Sequence, residues 1–285
     1  MSTYQALALV TSYWKPGDDF MSEIIDAITK KVDDGDFVVV SEKALSTATG
    51  NIIDESNVRP SFNAKVIVSC WMRVCWGHIL SAMLHFGPKL TRNLRDYPID
   101  SGSRHKQLTI YRAGLLQALM FGSEGGIDGS NLPYSYVSLP LANAQEIAER
   151  IREEIRRTFG KNVTVVVVDT DKTFTFRNFH FTPRPAPIRG IQGNGGVVAY
   201  IVGRIFRFRK RPTPLAVAGV EIVAEDALRI ANVADKARGV GSGTTVWKMA
   251  KRFHVALTGV TWEMLRSIKH KPIVIVRKGV PKRKR

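Results

Sequence analysis

The chain has 285 residues, 44% of them hydrophobic and 24% charged, with 42 Lys and Arg against 25 Asp and Glu for a formal charge of +17. That length buries a proper core and suits one large domain or two small ones, and the positive field draws anions such as nucleic acid, nucleotides or a phosphorylated or carboxylated small molecule. Two cysteines, Cys70 and Cys75, exclude a disulfide framework and a four-thiolate zinc site, so a reducing cytoplasm is the expected location.

In chain order, Lys15–Pro16–Gly17–Asp18–Asp19 forms a turn whose acids can cap a helix carrying Phe20, Ile24 and Ile28 on its core face. Asp33–Asp34–Gly35–Asp36 then leads into a buried strand, Phe37–Val40, left by a polar loop that begins Ser41–Glu42–Lys43. Lys43 reads either as a partner for phosphate or as an exposed surface lysine. Val66 to Phe86 is apolar enough to suggest a membrane span, but Arg73, His78 and His85 interrupt it. An intramembrane charge is costly, so the expectation is a buried or subunit-interface segment and no membrane. Lys89, Arg92, Arg95, Arg104, His105 and Lys106 form a basic belt expected to be a solvated face, and Cys70–Trp71 and Cys75–Trp76 are expected in the core.

A loop with a glycine pair, Gly125–Gly126–Ile127–Asp128–Gly129–Ser130–Asn131, lets backbone approach a ligand closely. Asn143 with Glu146 has the spacing of a capping box, and Ile147, Ile151 and Ile155 stripe the helix that follows up to Phe159–Gly160. Next comes Val163–Thr164–Val165–Val166–Val167–Val168–Asp169–Thr170–Asp171, a run buried on both faces that is expected to stop on its acids. Past Arg177, prolines 183, 185 and 187 and glycines 190, 193, 195 and 196 break regular structure before a strand-like Val197–Val202. Phe206–Arg207–Phe208–Arg209–Lys210–Arg211 alternates ring and charge, as a strand with one cationic face would. Ala224 to Ala237 is helical and runs into Gly239–Val240–Gly241–Ser242–Gly243–Thr244–Thr245, and the Pro281–Arg285 tail is expected to be disordered.

Asp128 and Asp169 are hard oxygen donors, and Mg²⁺ takes one or two carboxylates and completes its shell with substrate phosphates. The reading is that their two loops share a metal ion, against the commoner use of loop Asp as a turn former. Gly239 to Thr245 has the composition of an anion cradle or of a flexible linker; neither Walker A nor Gly-x-Gly-x-x-Gly spacing occurs. His180, His254 and His270 have no ligand spacing.

Four ordered motifs, Pro16–Gly17–Asp18–Asp19, Ser41–Glu42–Lys43–Ala44–Leu45–Ser46, Gly126–Ile127–Asp128–Gly129–Ser130–Asn131 and Val167–Val168–Asp169–Thr170, resemble those of the coenzyme F-420:L-glutamate ligase family. The Ala224–Glu225–Asp226–Ala227 helix with its glycine loop resembles that family's later segment. The resemblance implies an α+β fold of two domains with mixed sheets in an intertwined dimer, here divided as 1–175 and 176–285. It implies a GTP-dependent ligase that joins L-glutamate through a γ-glutamyl linkage to a deazaflavin coenzyme F-420 precursor, using two Mg²⁺ or Mn²⁺ ions with K⁺ as helper. It further implies Asp128 and Asp169 on a first metal, Thr170 on a second, and Lys43, Asn131, Gly239, Gly241, Ser242, Gly243 and Thr244 around the nucleotide. Thr47 stands where the family pattern has a lysine and Thr49 where it has an acid; residues 60–120 and 177–211 lie outside the resemblance.

The expected chemistry is phosphoryl transfer to the acceptor carboxylate, then attack of the glutamate amine on the acyl phosphate. Lys43 and basic residues such as Arg184 or Arg189 are expected to hold the anionic substrate, and no general base is legible. One alternative is a paralogue that ligates an amino acid to another acceptor or only binds a nucleotide. The other is a basic nucleic-acid-binding protein, favoured by charge and by the Phe206–Arg211 stretch.

Overall fold

The computed structural model describes residues 3–122, 124–241, 243 and 245–279. Valine-rich runs need both faces covered, and the fold supplies this with a mixed sheet between two helical layers. Its strands are β1 (Thr3–Thr11), β2 (Phe37–Ser41), β5 (Thr164–Phe176), β6 (Phe179–Phe181), β7 (Arg209–Ala218) and β8 (His270–Gly279). They run in the order β1-β8-β2-β5-β6, with β7 on the other edge of β5. β2 and β5 are parallel, and the remaining pairs are antiparallel. Two short strands, β3 (Ile52–Asp54) and β4 (Tyr136–Ser138), pair separately.

Strand alternation divides the core. Val38, Val40, Val165 and Val167 face the Phe20–Ile28, Glu42–Ala48 and Ala144–Phe159 helices, whose Ile24, Ile28, Leu45, Ile147, Ile151 and Ile155 fill that side. Phe37, Val39, Val166 and Val168 face Ile230, Ala231 and Ala234 of the Ala224–Arg238 helix. Gly160 closes the Ala144–Phe159 helix in the left-handed region at φ 66°, where glycine has no Cβ penalty.

Residues 62–118 form a helical flank with a core of its own. The Phe62–Met83 helix, followed by Pro88–Arg95, Ile99–Ala113 and Leu115–Ala118, packs Met72, Trp76, Leu80 and Leu94 against Val197 of the Gly196–Ile205 helix. By length and composition Phe62–Met83 could cross a membrane; its Val68, Met72 and Trp76 are instead sunk in the flank's core while Phe62, Val74 and Ile79 are exposed. Trp71 is half-buried and Trp76 fully buried, whereas Cys70 is exposed and Cys75 intermediate, so the cysteines leave the expected core.

Several expectations change. Glu42 starts a helix rather than a loop, because the strand's last residue, Ser41, stays extended as its N-cap. Asn143 makes no side-chain cap bond to its helix. β5 does not stop at Asp171 but runs to Phe176, since β7 and β6 keep pairing with its second half. Val197–Val202 is helical, as an apolar run of this length fits either element until packing decides. The basic belt is not a solvated face throughout: Lys106 is fully buried and His105 half-buried, each in ion pairs. Phe206 to Phe208 precede β7, which begins at Arg209.

Candidate functional site

Parallel register sets up the acidic corner. Ser41 pairs with Val168, so Glu42 and Asp169 leave the pairing side by side, and the register of β5 against β7 shifts around Asp169. Arg184 bridges them, giving Nη2 to Glu42 and Nη1 to Asp169, with Asp171 at 3.9 Å. All four side chains are buried. Burial pushes the Glu42 carboxyl up to about 7, against the pull of Arg184. Burial also raises Asp169, but Arg184 and Lys43 outweigh it and hold this carboxyl below the ordinary value.

In the cavity that Asp169 also lines, Asp128 caps its own loop. It accepts from Ser130 N at 2.7 Å and Ser130 Oγ at 2.8 Å and pairs with Lys43 Nζ, which also reaches Ser130 O at 3.1 Å. Gly126, at φ 94°, lies so close to Arg184 that a Cβ there would fall 1.9 Å from Nη1. This contact requires glycine and locks the Asp128 loop onto the Asp169 strand. Asn131 donates from Nδ2 to Gly243 O at 3.1 Å, and a Cβ on Gly241 would stand 2.9 Å from Asn131 Oδ1, so the glycine loop closes on the Asp128 loop.

These parts meet on one cavity of about 730 Å³ lined by Lys43, Asp128, Asn131, Asp169, Thr170, Gly239, Gly241 and Gly243. Ser242 and Thr244 lie outside the described residues. Lys172 and Arg238, which share Asp235 at 3.4 and 3.0 Å, together with Lys269 and Lys271, give the same cavity a basic side. His270 also lines it; burial pushes its imidazole down to about 4, so it is neutral at physiological pH. Arg184 is a buried counter-ion rather than a substrate ligand, and Arg189 is exposed and outside the cavity wall.

A divalent cation can be tested against this corner. No group of three or more His, Cys, Asp or Glu side chains among the described residues forms a ready-made metal cage. Yet three carboxylates, Glu42, Asp128 and Asp169, meet here on two cations, Lys43 and Arg184. The donors are all oxygens, and an ion completed by substrate phosphates needs no all-protein cage; the residues fit Mg²⁺ or Mn²⁺.

The cavity also carries a second ionic row that the sequence did not suggest. His105 joins Glu55 through Nδ1 and Glu124 through Nε2 at 2.9 Å, while Glu124 also takes Lys106 Nζ at 2.5 Å and Thr109 Oγ1 at 3.2 Å. Burial lowers the His105 imidazole, but Glu55 and Glu124 outweigh it and raise its pKa well above the ordinary value. Glu55, Arg104, His105 and Glu124 line the cavity beside Tyr97, Phe121 and Tyr200. A legible signal for this row was the His105–Lys106 pair on a helix with Thr109, but its acids come from two distant loops.

Comparison with known proteins agrees with the geometry. A relative in Methanocaldococcus jannaschii, an uncharacterized protein, is 35% identical over 290 residues, 96% of each chain. The coenzyme F420:L-glutamate ligases of Methanopyrus kandleri and Archaeoglobus fulgidus are 26% and 29% identical over 156 and 160 residues, in each case 55% of this chain and 55% of the relative. The match to these ligases thus spans about half of their length. The sequence profile of the F420-0:gamma-glutamyl ligase family matches residues 8–226, and the chain belongs to that family.

Proposed function

We propose that this protein is a nucleotide- and divalent-metal-dependent amide ligase that adds L-glutamate through a γ-glutamyl linkage to a carboxylate acceptor. A deazaflavin coenzyme F-420 precursor is the first acceptor to test and GTP the first nucleotide. The observation that carries this reading is the convergence of Asp128 with Lys43, Asp169 with Arg184, and the 239–243 glycine loop on one cavity. Asp128, Asp169 and Thr170 would hold Mg²⁺ or Mn²⁺, which when bound offsets the charge that develops on the transferring phosphoryl group.

The chain's own residues have separable tasks. Lys43 sits at the carboxylate and is free to turn its ammonium toward a phosphate that arrives there. Arg184 stays between Glu42 and Asp169 and keeps the Asp169 carboxylate ionised in a buried setting. Asn131 ties Gly243 to the Asp128 loop and would hold the glycine loop at the cavity for a bound anion. The acceptor carboxylate attacks the γ-phosphorus and the nucleoside diphosphate leaves. The amine of glutamate, having lost a proton, then attacks the acyl carbon, the new C–N bond replaces the C–O bond to phosphate, and inorganic phosphate leaves. The link is γ-glutamyl where the acceptor carboxylate is the γ-carboxylate of a glutamyl residue.

A second reading, ligation to another acceptor, is favoured by one observation. The cavity wall around Tyr97, Ser101 and Arg104 comes from the helical flank, which lies outside the motifs that resemble the family. The test is incubation with deazaflavin precursor, glutamate, GTP and Mn²⁺, with product mass read out. A gain of one or more glutamyl units supports the first reading. Nucleotide turnover only with other acceptors supports the second, and no metal-dependent nucleotide binding refutes both. The homodimer that goes with this family is part of the proposal, and a sedimentation mass twice the 31.7 kDa chain is its expected result.

A further inference from the structure

Beyond the cavity, β5 and β7 continue past β2 as an arm, with Thr175 opposite Arg209 and β6 folded back along Phe174 to Phe176. The arm carries a ladder of phenylalanines. Phe206 stacks on Phe208 with centroids 5.6 Å apart and planes at 17°, and Phe208 meets Phe176 at 5.2 Å. Phe179 stacks on Phe181 at 5.7 Å, and Phe181 meets the Phe208 edge at 6.0 Å. The outer rings are open to solvent: Phe206 is 65% exposed, Phe179 58% and Phe176 49%.

The arm's own charged side chains have one sign, and Glu225 of the Ala224–Arg238 helix meets them at Arg209 and Arg211. No Asp or Glu occurs from Lys172 to Val220. The Arg177 guanidinium lies over the Phe176 ring, 5.4 Å from its centroid. Arg177, Arg207 and Lys210 have no carboxylate partner among the described residues, whereas Arg211 is buried on Glu225 at 2.7 Å and serves the fold. Burial, with Arg204 and Lys172 nearby, pushes the Lys210 ammonium below its ordinary value, as an uncompensated positive field would.

We propose that this arm binds single-stranded nucleic acid, with bases stacking on Phe179 and Phe206 and phosphates meeting Arg177, Arg207 and Lys210. Every base offers a π-face and every linkage a negative charge, the two chemistries displayed here side by side. Pairing of this arm with the same arm of a second copy is disfavoured because both carry the same charge. A bilayer is a poor occupant because the β5–β6 turn leads with Arg177–Asn178, which insertion would drag into hydrocarbon. The site is separate from the ligase cavity and does not depend on that activity.

The full chain is titrated into a labelled short oligouridylate at increasing KCl, with anisotropy read out. Three phosphate contacts give a slope of about −2 in log affinity against log salt. F179A/F206A weakens binding by about tenfold per ring and leaves the slope unchanged. R207Q/K210Q makes the slope shallower. All four residues are exposed, and unchanged melting curves confirm that the variants fold. The proposal fails if the oligonucleotide does not bind at low salt, if a duplex of equal length binds as tightly, or if the ring variant binds like the parent. It also fails if the rings instead govern self-association in sedimentation or binding to phosphatidylserine vesicles.

Discussion

Two ionic rows reach the same cavity, and their difference separates ligand binding from scaffold. On the sheet side, Glu42 and Asp169 share a single guanidinium, Arg184. On the helical side, Glu55 and Glu124 alternate with His105 and Lys106, so each carboxylate has its own cation. Charges taken out of water must be compensated, and the second row does this by itself while the first does not. The unbalanced row is the one suited to a cation that arrives with substrate. The balanced row fastens the loop that leads to Asp128, because Glu124 exchanges backbone bonds with Ile127.

The comparison can be broken by removing one member at a time. Glu124→Ala strands Lys106 and His105 in the interior and should cost about 3–5 kcal/mol, read as a fall in thermal midpoint of roughly ten degrees. If Glu124→Ala melts like the parent, the row is not a scaffold. His105→Gln tests the same row by pH. The folded pKa of His105 is raised, so its contribution is complete below the ordinary 6.5 and disappears as pH rises through the folded value. The variant should therefore lose about 3 kcal/mol near pH 6 and converge on the parent in alkali.

Asp128→Ala should behave oppositely. Its carboxylate is part-exposed, so the fold and melting curve should be retained while metal-dependent nucleotide binding falls by more than the roughly hundredfold that follows loss of an outer-shell partner. Titration calorimetry with Mn²⁺ and nucleotide reads this directly. The smallest effect belongs to Glu42→Gln. Glu42 is raised from 4.5 to about 7, so its stabilising contribution is present below pH 4.5 and is lost as pH rises through 7. Removing that titration should flatten the stability profile over this interval by about 1–2 kcal/mol, measured by urea unfolding at a series of pH values.

Much of the fold is legible residue by residue. The β2 and β5 valines announce strands covered on both faces, Gly160 marks a helix end, and Ala224 to Ala237 lies within the observed Ala224–Arg238 helix. Asp128, Asp169, Lys43, Asn131 and the glycine loop are legible as candidates, and the fold brings those described onto one cavity. Arg184 was misread as a substrate ligand, because its burial depends on Gly126 and on acids from two other segments. The helical flank was opaque for a similar reason: Val197–Val202 reads as a strand, and it is helical with its Val197 and Tyr200 packed on the flank's core around Trp76.

By itself, the sequence determined the elements whose burial is local: alternating valines, helix stripes, glycines at turns, and a positive charge that selects anionic partners. Tertiary structure alone decided which acids share which cation, since Glu42, Asp169 and Arg184 meet only through parallel strand register and a close glycine contact. Periodicity is written between near neighbours along the chain. Charge compensation in a low-dielectric interior depends on distances between segments far apart in sequence, and no spacing pattern encodes it.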